Sequence, residues 1–200
     1  MGFYCEDSST GITVFDNVFY KMENSSCVLY TNGGWNITMK NNIIIEPYSY
    51  SVVLSPQYYT WAKKHVLSTF GKGGLFEKRL LTDINITLPP YSDRYPELVN
   101  YMDPIIPGKE WEGMRSRRNI FSTNVIIGGK ENPVLLRGSL HAYFKSINNF
   151  QTKEDPGFVD YKNENFKLRK DSEVFKKIKG FKPIPFDKIG LYIDKYRTKL

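Results

Sequence analysis

The sequence predicts an all-β fold. The expected architecture is a parallel β-helix, a solenoid of about four coils, with a partly helical insertion and an irregular C-terminal cap. Three observations point there. Strand-forming residues recur at a spacing of 25 positions. They come in runs of three to five residues, broken by Asp-Asn, Asn-Asn, Asn-Gly-Gly or Ser-Ser-Thr-Gly. No stretch between these breaks is long enough to hold a helix.

The repeat is visible when two stretches are written one above the other. Gly11-Ile12-Thr13-Val14-Phe15-Asp16-Asn17-Val18-Phe19 lies over Asn36-Ile37-Thr38-Met39-Lys40-Asn41-Asn42-Ile43-Ile44. Ile, Thr and Asn coincide and the apolar positions agree. The same spacing places Phe3 over Val28 and Val28 over Val53. In a solenoid, residues one period apart stack on each other. Interior stacks are therefore expected of Phe3, Val28 and Val53, of Ile12 and Ile37, and of Val14 and Met39. Asn17 over Asn42 is expected to form a ladder, because one amide offers both donors and an acceptor to the next coil.

The repeat stops near residue 56 and returns at Asn119-Ile120-Phe121, with an echo at Asn148-Asn149-Phe150. Aligning Asn119 with Asn42 leaves far more chain than one period, and the surplus is read as an insertion in the third coil, placed at 56–112. Within it, Gln57 to Leu67 reads as a helix opened by Pro56, and Leu75 to Leu81 as a second. Leu88-Pro89-Pro90-Tyr91 is expected to be extended. Another helical turn is expected from Tyr95. Residues 1–150 are thus assigned to the coils with their insertion, and 151–200 to a segment that caps the last coil.

Composition narrows the function classes. The 200 residues are 40% hydrophobic and 15% aromatic, which argues for a packed core. No apolar run approaches the ~18 residues of a membrane span, so no membrane partner is expected. The opening Met1-Gly2-Phe3-Tyr4-Cys5-Glu6-Asp7 has neither a basic nor a long apolar region and does not read as a signal peptide. The net charge of +7 is unevenly placed: residues 1–57 carry two basic and five acidic residues, residues 151–200 thirteen and eight. Lysines alternate with acids and no nucleic-acid motif accompanies them, so no nucleic-acid partner is expected. Two cysteines, and His65 and His141 without partners at ligand spacing, give no metal site, and no cofactor motif is present.

Three stretches carry a family resemblance. They are Tyr4-Cys5-Glu6-Asp7 with Ser9 to Val14 and Asn17-Val18-Phe19, Trp61-Ala62 with Arg94 to Leu98, and the ending from Asp155 to Asp160 through Gly180 to Ile184 and Ile189-Gly190-Leu191. Through them the chain resembles the C-terminal part of bacterial right-handed parallel β-helix proteins of the pectate-lyase-like superfamily, in particular polysaccharide-associated ones. The resemblance implies a right-handed solenoid, a polysaccharide or oligosaccharide partner in a groove on its outside, and an extracellular or periplasmic parent protein. Such relatives have further coils upstream. The first coil is then expected to need covering, by missing N-terminal coils or by self-association.

Sugar hydrolysis needs two carboxyl groups and uronate elimination needs a base and a cation. Glu6 and Asp7, between a strand and a turn, are the candidate catalytic carboxylates, and His65 the candidate base. Carboxylates that bond turn amides, and a surface histidine, are the competing readings. Arg79 and Arg94 are candidates to hold an acidic sugar. Trp61, Tyr95 and Trp111 are candidates to stack on sugar rings, or to pack the insertion onto the coils. Two functions remain open: a hydrolase or lyase module, and a non-catalytic glycan-binding or structural one.

Overall fold

In the computed structural model the described residues are 1–6, 8–55, 63–108, 110–138, 144–189 and 193–199. Most strands belong to three four-stranded parallel sheets. The chain passes through all three in turn, and each pass is called a coil below. The first coil holds β1 (Phe3–Cys5), β2 (Thr13–Phe15) and β3 (Val18–Tyr20). The second holds β4 (Cys27–Asn32), β5 (Thr38–Lys40) and β6 (Ile43–Ile45). The third begins with β7 (Tyr50–Ser55) and is completed, after the insertion, by β10 (Asn119–Ser122) and β11 (Val125–Ile127). The fourth holds β12 (Val134–Leu136), β13 (Phe144–Ile147) and β14 (Phe150–Thr152). The sheets run β1-β4-β7-β12, β2-β5-β10-β13 and β3-β6-β11-β14, an arrangement compatible with a solenoid.

Such short strands suffice because alternate side chains point inward. Val14, Met39 and Phe121 stack in register, as do Phe19, Ile44 and Ile126. Met39, Ile44, Phe121 and Ile126 are at most 1% exposed. Burying each such side chain contributes roughly 1.5–3 kcal/mol.

The corner between the second and third sheets is always two residues long. Its first residue has left-handed dihedrals: Asp16, Asn41, Thr123 and Asn148, with φ between 53 and 57°. Its second is Asn17, Asn42, Asn124 or Asn149. These four asparagines form a ladder. Asn17 donates from its backbone N–H and Nδ2 to Asn42 Oδ1, Asn42 likewise to Asn124, and Asn124 likewise to Asn149, all at 2.9–3.1 Å. From the second coil onward Nδ2 also donates to a carbonyl of the preceding coil, Val14, Met39 or Phe121.

The register corrects two expectations. In the first sheet Phe3 pairs with Leu29, and Leu29 with Val52, so the stack is Phe3–Leu29–Val52 instead of Phe3–Val28–Val53. The spacing there is not constant, because the corners flanking this sheet vary in length. Asn42 stacks on Asn124, and not on Asn119. Their separation is 82 positions, against 25 between Asn124 and Asn149, so the excursion is longer than an alignment on Asn119 implies. Asn119 sits one corner earlier, where its Oδ1 accepts from the Ile37 N–H and its Nδ2 donates to the Gly34 carbonyl.

The insertion contains α1 (Lys63–Phe70), a π-helical segment (Glu77–Asp83), α2 (Tyr91–Arg94), a 3-10 turn (Pro96–Leu98) and the hairpin β8 (Pro104–Ile106) and β9 (Glu110–Trp111). The helix expected over Gln57 to Leu67 falls partly on residues 56–62, which lie outside those described, and α1 is the helix seen from Lys63 onward. Residues 86–90 are turns, not an extended segment. Pro90 takes helical dihedrals, and the Leu88 carbonyl accepts from the Ser92 N–H that opens α2. Phe70, Ile86, Tyr101, Trp111 and Met114 form an aromatic-rich cluster around Trp35 at the corner between the first two sheets.

The tail contains the antiparallel pair β15 (Phe158–Asp160) and β16 (Asn165–Leu168), then α3 (Val174–Lys177). The sequence places this segment over the last coil. Its described apolar residues pack on the outer face of the third sheet. Phe158, Phe166, Val174, Ile178, Phe181 and Ile184 pack on Ile43, Ile45, Val125 and Ile127. Those four point outward because Ile44 and Ile126 between them point in, and an apolar outer face needs a cover.

Candidate functional site

The second sheet keeps its outer face, and the tail stops at its edge. A groove of about 580 Å³ lies between them, lined by Thr13, Phe15, Asp16, Lys40, Asn41, Ser122, Thr123, Gly180 and Lys182. Each lining residue follows from the coil geometry. Phe15, Lys40 and Ser122 are one outward column, paired in register across β2, β5 and β10. Asp16, Asn41 and Thr123 are the left-handed corner residues of the same three coils. Gly180 and Lys182 are brought in by the tail. Lys182 is held by Asn41, whose Oδ1 accepts from its N–H and whose Nδ2 donates to its carbonyl. Farther along, Asn148 Nδ2 donates to the Lys179 carbonyl.

The chemistry of the groove is mixed. Phe15 is 54% exposed and presents an open aromatic ring. Lys40 and Lys182 supply two ammonium groups. Asp16 is the carboxylate among the lining residues, and it accepts a hydrogen bond from Asn41 Nδ2 at 2.6 Å. Thr13, Ser122 and Thr123 add hydroxyls. No group of three His, Cys, Asp or Glu among the described residues could hold a metal ion. No helix among them is long and apolar enough to cross a membrane.

The residues proposed from sequence lie elsewhere. Glu6 is half-buried at the corner after β1, and Asn32 Nδ2 donates to its Oε1 at 2.8 Å. Asp7, Trp61 and His141 lie outside the described residues. His65 is exposed on α1, and its carbonyl accepts from the Ser68 and Thr69 hydroxyls. Arg79 is exposed and pairs with Asp83, one turn along the π-helical segment, at 2.7 Å. Arg94 lies over the ring of its neighbour Tyr95, which is 41% exposed. Trp111 is a correction: it is 8% exposed and stacks on Phe70, so its indole packs the insertion and offers no surface platform. None of these contacts of Glu6, His65, Arg79 and Arg94 joins one of the four to another.

The insertion also carries a smaller apolar pocket of about 190 Å³, lined by Thr10, Phe76, Leu80, Ile86, Leu98 and Tyr101. Burial pushes the Tyr101 hydroxyl up to about 12, against the opposing effect of hydrogen bonds with Ser8 and Thr10. Burial likewise raises the Cys5 thiol to about 11, so it is not a reactive thiolate at neutral pH.

The groove leaves little trace in the sequence, for a specific reason. The repeat register already places Phe15 over Lys40. Nothing local shows that Gly180 and Lys182, far along the chain, form the opposite wall. Comparison with known proteins gives no matching family model, no matching curated protein and no matching solved structure.

Proposed function

We propose that the chain is a right-handed parallel β-helix module that binds polysaccharide in the groove beside its second sheet. Its parent protein is extracellular or periplasmic in this reading. The handedness follows the general preference of parallel crossovers and the resemblance of the sequence to carbohydrate-associated β-helix proteins. The observation that supports the function is the convergence of Phe15, Lys40, Lys182 and three hydroxyls along one open groove. Sugars are held through an apolar ring face on an aromatic side chain and through hydroxyls on polar groups. Two ammonium groups, beside a carboxylate already engaged by Asn41, favour a glycan that carries anionic substituents.

Binding is preferred over catalysis. Hydrolysis calls for two carboxyl groups about 5–10 Å apart. Among the described lining residues the groove supplies Asp16 alone. The catalytic alternative keeps Glu6, Asp7 and His65 as its residues.

Calorimetric titration with a panel of neutral and acidic oligosaccharides, with product analysis, tests the proposal. Binding of acidic glycans without turnover is expected, weakened at least fivefold by Phe15→Ala or Lys40→Ala. Binding indifferent to both changes would remove the groove from the proposal. Turnover abolished by Glu6→Ala would establish the catalytic alternative.

A further inference from the structure

Charge along the outer face of the second sheet alternates from coil to coil. Two columns of that face run in register, Thr13–Thr38–Ile120–Lys145 and Phe15–Lys40–Ser122–Ile147. The first coil offers Thr13 and the open Phe15 ring, with the Asp16 carboxylate at its corner. The second offers Lys40. The third offers only uncharged side chains, Ile120, Ser122 and, at its corner, Thr123. The fourth offers Lys145, exposed beside Ile147.

The tail keeps the same rhythm. It runs along the corner column from the fourth coil to the second, because Asn148 holds the Lys179 carbonyl and Asn41 holds Lys182. Between them stand Gly180, which has no side chain, and Phe181, which is buried against the third sheet. Lys182 thus joins Lys40 at the level of the second coil, and Lys179 joins Lys145 at the fourth. All four lysines are exposed. Neighbouring coils are one strand spacing apart, so the two lysine pairs lie roughly 10 Å apart along the stack. The opposite corner of the sheet, roughly 15 Å away across the strands, holds exposed Arg118 in the third coil and Glu97 of the insertion, bonded to Asn36 in the second. A cation and an anion there leave the alternation along the lined edge unchanged.

Given a groove that binds anionic glycan, as proposed above, we infer that its glycan is an extended chain lying along the stack, with an acidic group on every second sugar. One pyranose unit of an extended chain is about as long as one strand spacing, so successive sugars lie on successive coils. Acidic units then meet the lysine pairs of the second and fourth coils. Neutral units meet the Phe15 ring in the first coil and the Ser122 and Thr123 hydroxyls in the third. A chain charged on every unit fits less well. It sets one anion beside Asp16 and another on the third coil, where the lined edge has no cation.

Calorimetric titration of the 200-residue chain with three tetrasaccharides tests this. One alternates glucuronate with N-acetylglucosamine, one is galacturonate throughout, and one is built of neutral glucose units. The alternating chain is expected to bind about tenfold tighter than either of the others. Lys145→Gln should weaken it about tenfold, the loss of one contact to a charged group. Ser122→Lys puts a cation on the third coil and should tighten binding of the galacturonate chain. Circular dichroism checks that both variants fold. Galacturonate bound by the parent as tightly as the alternating chain overturns the alternation, as does Lys145→Gln binding as the parent does. In either case, binding that remains sensitive to Phe15→Ala leaves the groove itself standing. No binding of any of the three refutes the alternation and the groove together.

Discussion

Asn41 and Lys182 exchange two hydrogen bonds, at 2.8 and 2.9 Å, although 141 residues separate them. One side-chain amide thus does for the tail what a strand neighbour does for a strand. The same Nδ2 also reaches Asp16 in the coil above. Asn41 therefore joins a corner of the coils to the wall of the groove.

Replacing Asn41 by glycine keeps the left-handed backbone and deletes only the amide. Two bonds to the tail are lost, and stability is expected to fall by about 2 kcal/mol. Limited proteolysis is the sharper readout. Cleavage within residues 179–189 should accelerate in Asn41→Gly while the coils stay resistant.

The asparagine ladder should be unequal along its length. Asn42 and Asn124 are 0% exposed, whereas Asn17 is exposed at the end. Asn124→Ala leaves buried carbonyl and amide groups unpaired, and a cost of about 3 kcal/mol is expected. Asn17→Ala should cost under about 1 kcal/mol. Urea denaturation of the two variants gives the comparison, and equal losses would mean that the ladder does not act rung by rung.

Much of the fold is legible in the sequence, and the limits are informative. Ladder position Asn17–Asn42, the stacks Ile12–Ile37 and Val14–Met39, and the presence of an insertion all follow from one period. That works because the corner between the second and third sheets has constant length. The period misregisters the first sheet, by one residue from β1 to β4 and by two from β4 to β7, because its flanking corners vary and local turn chemistry does not report length. Asn119 reads as Asn42's partner because both precede an Ile in a strand-forming run. Only pairing distinguishes two asparagine positions in one coil. The site is the least legible part, since a groove wall supplied from far along the chain leaves no mark near Phe15 or Lys40.

Thr31 occupies an interior column between Cys5 and Leu54, is 0% exposed, and its Oγ1 has no hydrogen-bond partner among the described residues. Thr31→Val keeps the shape and removes a buried hydroxyl. It should raise stability by about 1 kcal/mol, seen as a higher urea midpoint with unchanged slope.

Stability should also fall at high pH. The folded-state pKa of Tyr101 lies near 12, above the ordinary value of 10. The neutral hydroxyl is favoured by the fold, so this contribution is complete below pH 10 and is lost as pH rises toward 12. It amounts to about 3 kcal/mol for a two-unit shift. Tyr101→Phe should fall less steeply between pH 10 and 12 than the parent chain, and parallel curves would refute the assignment.

The excursion after Ser55 behaves as a parenthesis. The chain leaves after pairing Ser55 with Asn32 and resumes by pairing Arg117 with Trp35, three positions on in the coil beneath. Nothing in the stacking of later coils records how long it was away. Corners of this kind are ports at which whole subdomains can enter without disturbing the pattern on either side. The architecture can therefore exchange its decoration while its frame stays fixed.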